Sequence, residues 1–444
     1  VTPPGWWKAA AVAALAFAGI ALAALSGLLD ALASDRSLDR TKVLSTLAFY
    51  YPASLAAIWI VLTWRRSWRN CLLAAASALA AAAIAEAGLR ILAPHLALPR
   101  SRAISSSRLH HVYPPRREMF AGTYDGVRVV VRTNEDGLRT RHSRRSFLDH
   151  RTRIAVLGDS FVFGDKVRQE AAFPEVLEGI LRRRLGREDL AVLNTGVASY
   201  SPFLERLLFD AVLKEYRPTV VLLLLDATDI GDDHKYRGEA RRPDGAAPFD
   251  LPDPGDITYL GGVAEVLREN LPWMIAPVRR VFPFAELGEG LKPRYDYYDF
   301  RLEIGGRVET NRFFIYRHPP EVTRPHFDRT FEEVGRIAGS AAGLGAPFVL
   351  AVAPRFHHWN PRECPDNWER REYRLDEPHQ FAYFDYFEEA RARAPFPILN
   401  LLPAFKEARE FPLVLRFDPH WTERGHAFVA ETLADYLIGE GILE

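Results

Sequence analysis

A three-layer α/β domain with a parallel sheet, preceded by transmembrane helices, is the fold class this sequence predicts. Three observations predict it. From residue 151 onward, short apolar runs alternate with amphipathic segments, an order that packs helices on both faces of a parallel sheet. Val220–Leu225 is apolar at every position, which suits a strand buried on both faces. Ahead of this region, residues 9–29, 43–64 and 70–85 carry no charge, and the third stretch continues past Glu86 to Leu92.

Each uncharged stretch approaches the ~20 residues that cross a bilayer core as a helix. A cleaved signal peptide has a shorter apolar region and occurs once, so three stretches predict retained spans. Trp6, Trp7, Trp59, Trp64 and Trp68 stand at or near their ends, where an aromatic belt forms. The competing reading is an Ala-rich soluble helical hairpin. Lys8 and the Arg65–Arg69 loop weigh slightly toward a cytoplasmic N-terminus, which places the rest of the chain outside after three spans. Arg90, Arg100, Arg102 and Arg108 pull the other way, so charge leaves the side nearly undecided.

Composition removes other classes. The chain has 444 residues, enough for two or three domains. Its 57 basic and 57 acidic residues balance, whereas a nucleic-acid binder carries a basic excess. Two cysteines, Cys71 and Cys364, exclude a disulfide scaffold and a cysteine-ligated zinc site.

The elements follow in order. Residues 93–150 read as a connector with a small β element. Pro94, Pro99, Pro114 and Pro115 break helix, and Val127–Arg132 reads as a strand between turn sequences. Within the domain at 151–444, strands are expected at 154–157, 190–193, 220–225, 348–353 and 398–399. Helices are expected at 173–185, 203–216, 331–344, 381–394 and about 423–438. Residues 234–326, rich in Pro, Gly, Asp and Arg, read as an insertion with partial structure.

The chemistry gathers at strand ends. Gly158-Asp159-Ser160 follows the first strand, and sites in open α/β sheets lie beyond the strands' carboxyl ends. A nucleophilic serine needs a base, and the base needs a partner to fix its tautomer. Asp418 and His420 supply both within three residues, just before the last helix. The plainer reading makes Asp159 or Ser160 a helix cap and His420 a turn residue.

These segments resemble the four sequence blocks of the SGNH (GDSL-type) hydrolases, matched from about 151 to 440. The blocks are Gly158-Asp159-Ser160-Phe161, Asn194–Tyr200, Asp226-Ala227-Thr228-Asp229 and the Asp418-Pro419-His420 segment. The resemblance implies a flavodoxin-like sheet domain and a Ser160–His420–Asp418 triad. The implied oxyanion hole is the N–H groups of Ser160 and Ser199 with Thr228. Asp159, Gly196, Asp229 and His357 are candidate substrate contacts. Ser199 stands where the family has glycine, and Thr228 where it has asparagine. The two-residue Asp-to-His spacing resembles SGNH-like proteins of exopolysaccharide O-acetylation. The resemblance also implies a membrane anchor with the catalytic domain outside the cytoplasm.

Other polar clusters compete. Asp226, Asp229, Asp232 and Asp233 form an oxygen-rich group suited to Mg²⁺ or Ca²⁺. The family needs no metal or cofactor, and none is expected. His426 is the rival base, with core packing its expected role. Two functions follow. One is a serine esterase or acyltransferase acting on acyl esters, commonly acetyl groups on carbohydrate, with a bilayer and a membrane acyl-donor protein as partners. The other is a catalytically weak polysaccharide-binding protein on the same fold.

Overall fold

The structure is a computed structural model that describes residues 76, 101, 103–124, 127–241, 247–249, 300–367, 369, 374 and 376–443. The three expected spans lie outside the described residues apart from Ala76. Among the described residues no helix is long and apolar enough to cross a membrane. The chain divides into two units, 1–99 with 258–292, and 100–257 with 293–444. The second unit is described below.

Five parallel strands form its sheet: β1 (Thr152–Leu157), β2 (Leu190–Asn194), β3 (Val220–Leu225), β4 (Phe348–Val352) and β5 (Ile398–Asn400). Their order is β5-β4-β3-β1-β2. Read from the other edge this is the flavodoxin-like order, whose switch point lies between the first and third strands. The pairings Val156↔Leu222 and Leu157↔Leu223 bring the ends of β1 and β3 level.

Strand periodicity sorts the core into two layers, because successive side chains point to opposite faces. Ala155, Leu157, Leu223, Leu225, Leu350 and Val352 meet helices α2 (Pro202–Ala211), α4 (Pro320–Ala342) and α5 (Ala382–Arg391). Ile154, Val156, Leu222, Leu224, Val349 and Ala351 meet α1 (Phe173–Leu185) and α6 (Glu423–Gly439). In α6, Val429, Ala430, Leu433, Ala434 and Leu437 are buried. Each full burial of a large apolar side chain contributes roughly 1.5–3 kcal/mol. Helix α1 stops where Gly186 takes a left-handed φ of 64°.

Several boundaries differ from expectation. The helix expected over 203–216 breaks at Val212 into α2 and a 3₁₀ turn, Leu213–Tyr216, because Leu213 and Tyr216 turn into the core. Helix α4 begins at Pro320 rather than 331. Its buried positions Thr323, Phe327, Thr330, Val334, Ile337 and Ala341 keep an alternating spacing of four and three, one apolar face around Pro325. The expected insertion at 234–326 therefore starts inside α3 (Asp229–Glu239) and ends inside α4. Between them stand a hairpin, Leu302–Ile304 with Arg307–Glu309, and a short helix, Phe314–Arg317.

The stretch expected as a separate connector, 93–150, joins the same unit over its described part. Glu118–Tyr124 pairs with Val127–Arg132, and Tyr113, Met119, Val131, Leu138 and Phe147 fill the core beside α2. Tyr113 stacks on Phe163 at 4.5 Å.

Candidate active site

The chain leaves β1 through Gly158, whose φ of 152° admits no ordinary side chain. A Cβ there would lie 2.3 Å from Val162 Cγ2 and 2.9 Å from the Leu224 carbonyl. That close approach turns the chain into the short helix Ser160–Phe163. Asp159 caps it, its Oδ1 accepting the Phe161 N–H at 2.9 Å. Gly196 packs against this helix, with room for no Cβ beside the Phe163 nitrogen. Its own N–H is donated to Asn194 Oδ1 at 3.0 Å.

The segment Asp418–Trp421 pairs antiparallel with Val414–Leu415 just ahead of α6. Trp421 is fully buried against Phe161, with ring centroids 4.6 Å apart. This packing carries His420 over the start of the Ser160 helix. His420 Nε2 lies 2.7 Å from Ser160 Oγ. His420 Nδ1 hydrogen-bonds Asp418 Oδ1, which also accepts the His420 backbone N–H at 3.1 Å. A carboxylate only accepts, so Nδ1 carries the proton and Nε2 turns its lone pair to the Ser160 hydroxyl. Burial pushes the Asp418 carboxyl up, but Lys166 and His420 outweigh it and hold it well below the usual carboxylate range.

The other predicted residues fall as follows. Ser199 has a left-handed φ of 64°, and its hydroxyl pairs with Tyr236 Oη at 3.0 Å. The Ser160 and Ser199 N–H groups have no hydrogen-bond partner among the described residues, so both remain available to an oxyanion. Thr228 directs its donors to Asp226. Its hydroxyl proton goes to Asp226 Oδ2 at 2.6 Å, and its N–H goes to the same oxygen at 3.1 Å. A hydroxyl has one proton to give, so this pairing takes the proposed oxyanion donor away.

Asp229 faces the loop after β3. It is fully buried and accepts the Asp226 N–H at 2.7 Å, so it braces the loop after β3. Burial, with Asp159, Glu205 and Asp226 nearby, drives its carboxyl well above the usual range. His357 lies buried in a 3₁₀ turn after β4, its ring centroid 5.4 Å from that of Tyr316. Burial, His358 and Arg355 keep its imidazole neutral. His426 is spent on packing: its Nδ1 accepts the Phe173 N–H at 3.2 Å, and burial lowers its pKa to about 3. The Asp226–Asp233 group forms no metal-ligand cluster among the described residues.

Two further charged residues border the site: Arg355, which the sequence places beside His357 and His358 as a substrate-contacting or exposed loop residue, and Lys166, which went unread. Arg355, after β4, donates Nη2 to Asp226 Oδ2 at 2.8 Å and Nη1 to Glu369 Oε2 at 2.5 Å. Lys166 donates Nζ to Asp165 Oδ2 at 2.6 Å and lies 3.2 Å from Asp418 Oδ2. Lys166 had one sequence signal: it is one of seven lysines among 57 basic residues, six positions after Ser160.

No protein-family model matches the chain. No curated protein matches it by sequence. Among solved structures it is similar to the psychrotrophic esterase EstA from Pseudoalteromonas sp. at 11% identity. That match covers 64% of this chain and 96% of the other, with a TM-score of 0.32. It is also similar to a GDSL-like lipase from Bacteroides thetaiotaomicron VPI-5482, at 11% identity over 65% and 86% of the two chains, TM-score 0.30. A third is the acetyl xylan esterase AlAXEase, at 10% identity over 64% and 99%, TM-score 0.32.

Proposed function

We propose that the chain is a serine esterase or O-acyltransferase of SGNH type. The observation that carries this reading is the 2.7 Å contact of Ser160 Oγ with His420 Nε2, on an imidazole whose Nδ1 faces Asp418. Ser160 Oγ attacks the ester carbonyl carbon while its proton passes to Nε2. The oxyanion of the tetrahedral intermediate accepts the N–H groups of Ser160 and Ser199. Its collapse breaks the ester C–O bond, and Nε2 returns the proton to the leaving alcohol. The acyl group left on Ser160 then passes to water in a hydrolase or to a sugar hydroxyl in a transferase. The substrate class is an acyl ester, with acetyl groups on carbohydrate or envelope polysaccharide the favoured case.

Membrane anchoring through 9–29, 43–64 and 70–92, with the catalytic unit outside the cytoplasm and a membrane acyl-donor protein as partner, completes the proposal. The support is the run of uncharged residues, the flanking tryptophans and the resemblance. Alkaline phosphatase fused at residues 35 and 444 should be active, and at 67 inactive. The inverse pattern reverses the orientation, and full-length protein released by carbonate washing refutes the anchor.

The Thr228–Asp226 hydrogen bond favours a second reading, a weak catalyst that binds polysaccharide, because it leaves the oxyanion two backbone donors. A fluorophosphonate probe separates the two. Labelling that disappears in Ser160→Ala supports the enzyme; absence of labelling in the native protein supports the binder.

A further inference from the structure

The turn that follows the Ser160 helix is held from several sides. The N–H groups of Gly164 and Asp165 both donate to the Ser160 carbonyl at 3.0 Å. Arg139, fully buried, donates Nη1 to the carbonyls of Phe163 and Gly164 and Nη2 to that of Val167. Within this turn Lys166 takes a left-handed φ of 67°, uncommon for a side-chain-bearing residue. Strain of that kind persists only where surroundings impose it. Here it aims the ammonium at Asp418, far along the chain.

Asp418 thereby faces Lys166 as well as His420. Its Oδ1 faces His420 Nδ1 and the His420 backbone N–H. Its Oδ2 lies 3.2 Å from Lys166 Nζ. Lys166 Nζ is 3.4 Å from His420 Nδ1, but both atoms carry protons directed at Asp418, so they form a charge contact and not a bond. Asp165 Oδ2, 2.6 Å from Nζ, balances the cation from its far side.

We propose that Lys166 is a positioning residue of this site: its ammonium clamps Asp418 so that Oδ1 meets His420, and its positive charge opposes imidazolium at His420. The inference rests on the reading of His420 as base, though its test does not require catalysis. Orientation follows from geometry, since a carboxylate held at Oδ2 cannot swing its Oδ1 away from Nδ1. The charge effect follows from sign. A cation beside an imidazole disfavours imidazolium, so removing the ammonium favours it. The charged and titratable groups facing the pair are Asp165, Asp418, Asp159, His426, Arg139 and Tyr124. Burial presses Lys166 to lose its proton, and Asp165 and Asp418 more than offset it, so the ammonium stays charged.

The experiment reads His420 directly. Full-length protein carrying ¹³C-labelled histidine is titrated by NMR, with the His420 Cε1–H signal assigned by its loss in His420→Gln. Lys166→Met should move the midpoint upward by roughly one pH unit, and Asp165→Asn should move it downward by roughly half a unit. Lys166→Arg should restore the native midpoint. Opposite signs from two members of one ion pair are an electrostatic signature that lost packing does not produce. Midpoints that stay in place, or move in the same direction, overturn the proposal. Should Lys166→Met fail to fold, Lys166→Gln takes its place: an upward shift supports the clamp and no shift refutes it. The fluorophosphonate result is independent. Shifted midpoints without labelling retain the clamp and remove the esterase reading, while labelling with unmoved midpoints does the reverse.

Discussion

Thr228 donates its hydroxyl proton to Asp226 Oδ2 at 2.6 Å, and Arg355 Nη2 reaches the same oxygen at 2.8 Å. The residue in the third block is thus bound into a buried ion pair beneath the site. A hydrogen bond to a charged group contributes about 1.5–3 kcal/mol. Thr228→Val, which keeps the shape and removes the hydroxyl, should lower the melting temperature and change kcat by less than about threefold. A tenfold fall in kcat at unchanged Tm would restore the hydroxyl as an oxyanion donor. Both quantities are to be measured on one preparation.

Arg355 supports Asp226 and Glu369 together. Burial pushes the Asp226 carboxyl up, but Arg355 and Thr228 hold it below its usual value of 3.8. Such a group stabilises the fold above that value and loses the contribution as pH falls through its folded pKa. Arg355→Met should therefore cost about 3–5 kcal/mol at neutral pH by leaving buried charge unpaired. The deficit in thermal unfolding should narrow below about pH 4, where Asp226 takes up its proton.

Ser160, His420 and Asp418 should act as a unit. Ser160→Ala and His420→Ala should each reduce aryl acetate hydrolysis by roughly 10³-fold or more, and the double variant should be little worse. Asp418→Asn should also be severe, because an amide disturbs the imidazole tautomer. His426→Asn, which removes a packing histidine, should lower Tm and leave the shape of the pH–rate profile unchanged. Loss of activity in His426→Asn with activity kept in His420→Ala would reverse the assignment.

Asp159 offers a pH test of the cap. Burial and Asp226 push its carboxyl up to about 7. A carboxyl raised in the fold stabilises most when protonated, so its contribution declines as pH rises from the unfolded value toward about 7. Asp159→Asn keeps a capping oxygen and carries no charge. The melting temperature of this variant relative to the native protein should rise between about pH 4 and pH 7 and level off above. A difference independent of pH would show that Asp159 is ionised throughout.

The amino-acid sequence by itself marked the five strands of the parallel sheet, the α1 and α6 helices, and Ser160, Asp418 and His420 as candidates. These rest on local rules: apolar runs of strand length, helical periodicity closed by Gly186, and short motifs at strand ends. The 3₁₀ turn after α2 and the early start of α4 were not legible, because packing against the sheet overrode the local signals at Val212, Pro320 and Pro325. The tertiary structure gave the physical difference between His420 and His426, since burial beside Phe173 commits one ring to a backbone N–H while the other meets Ser160. It likewise joined Thr228 to Asp226 and brought Lys166 to Asp418. A hydrogen bond or ion pair between residues distant in sequence depends on how the strand ends are set side by side. That arrangement is a property of the packed sheet, and no local spacing records it.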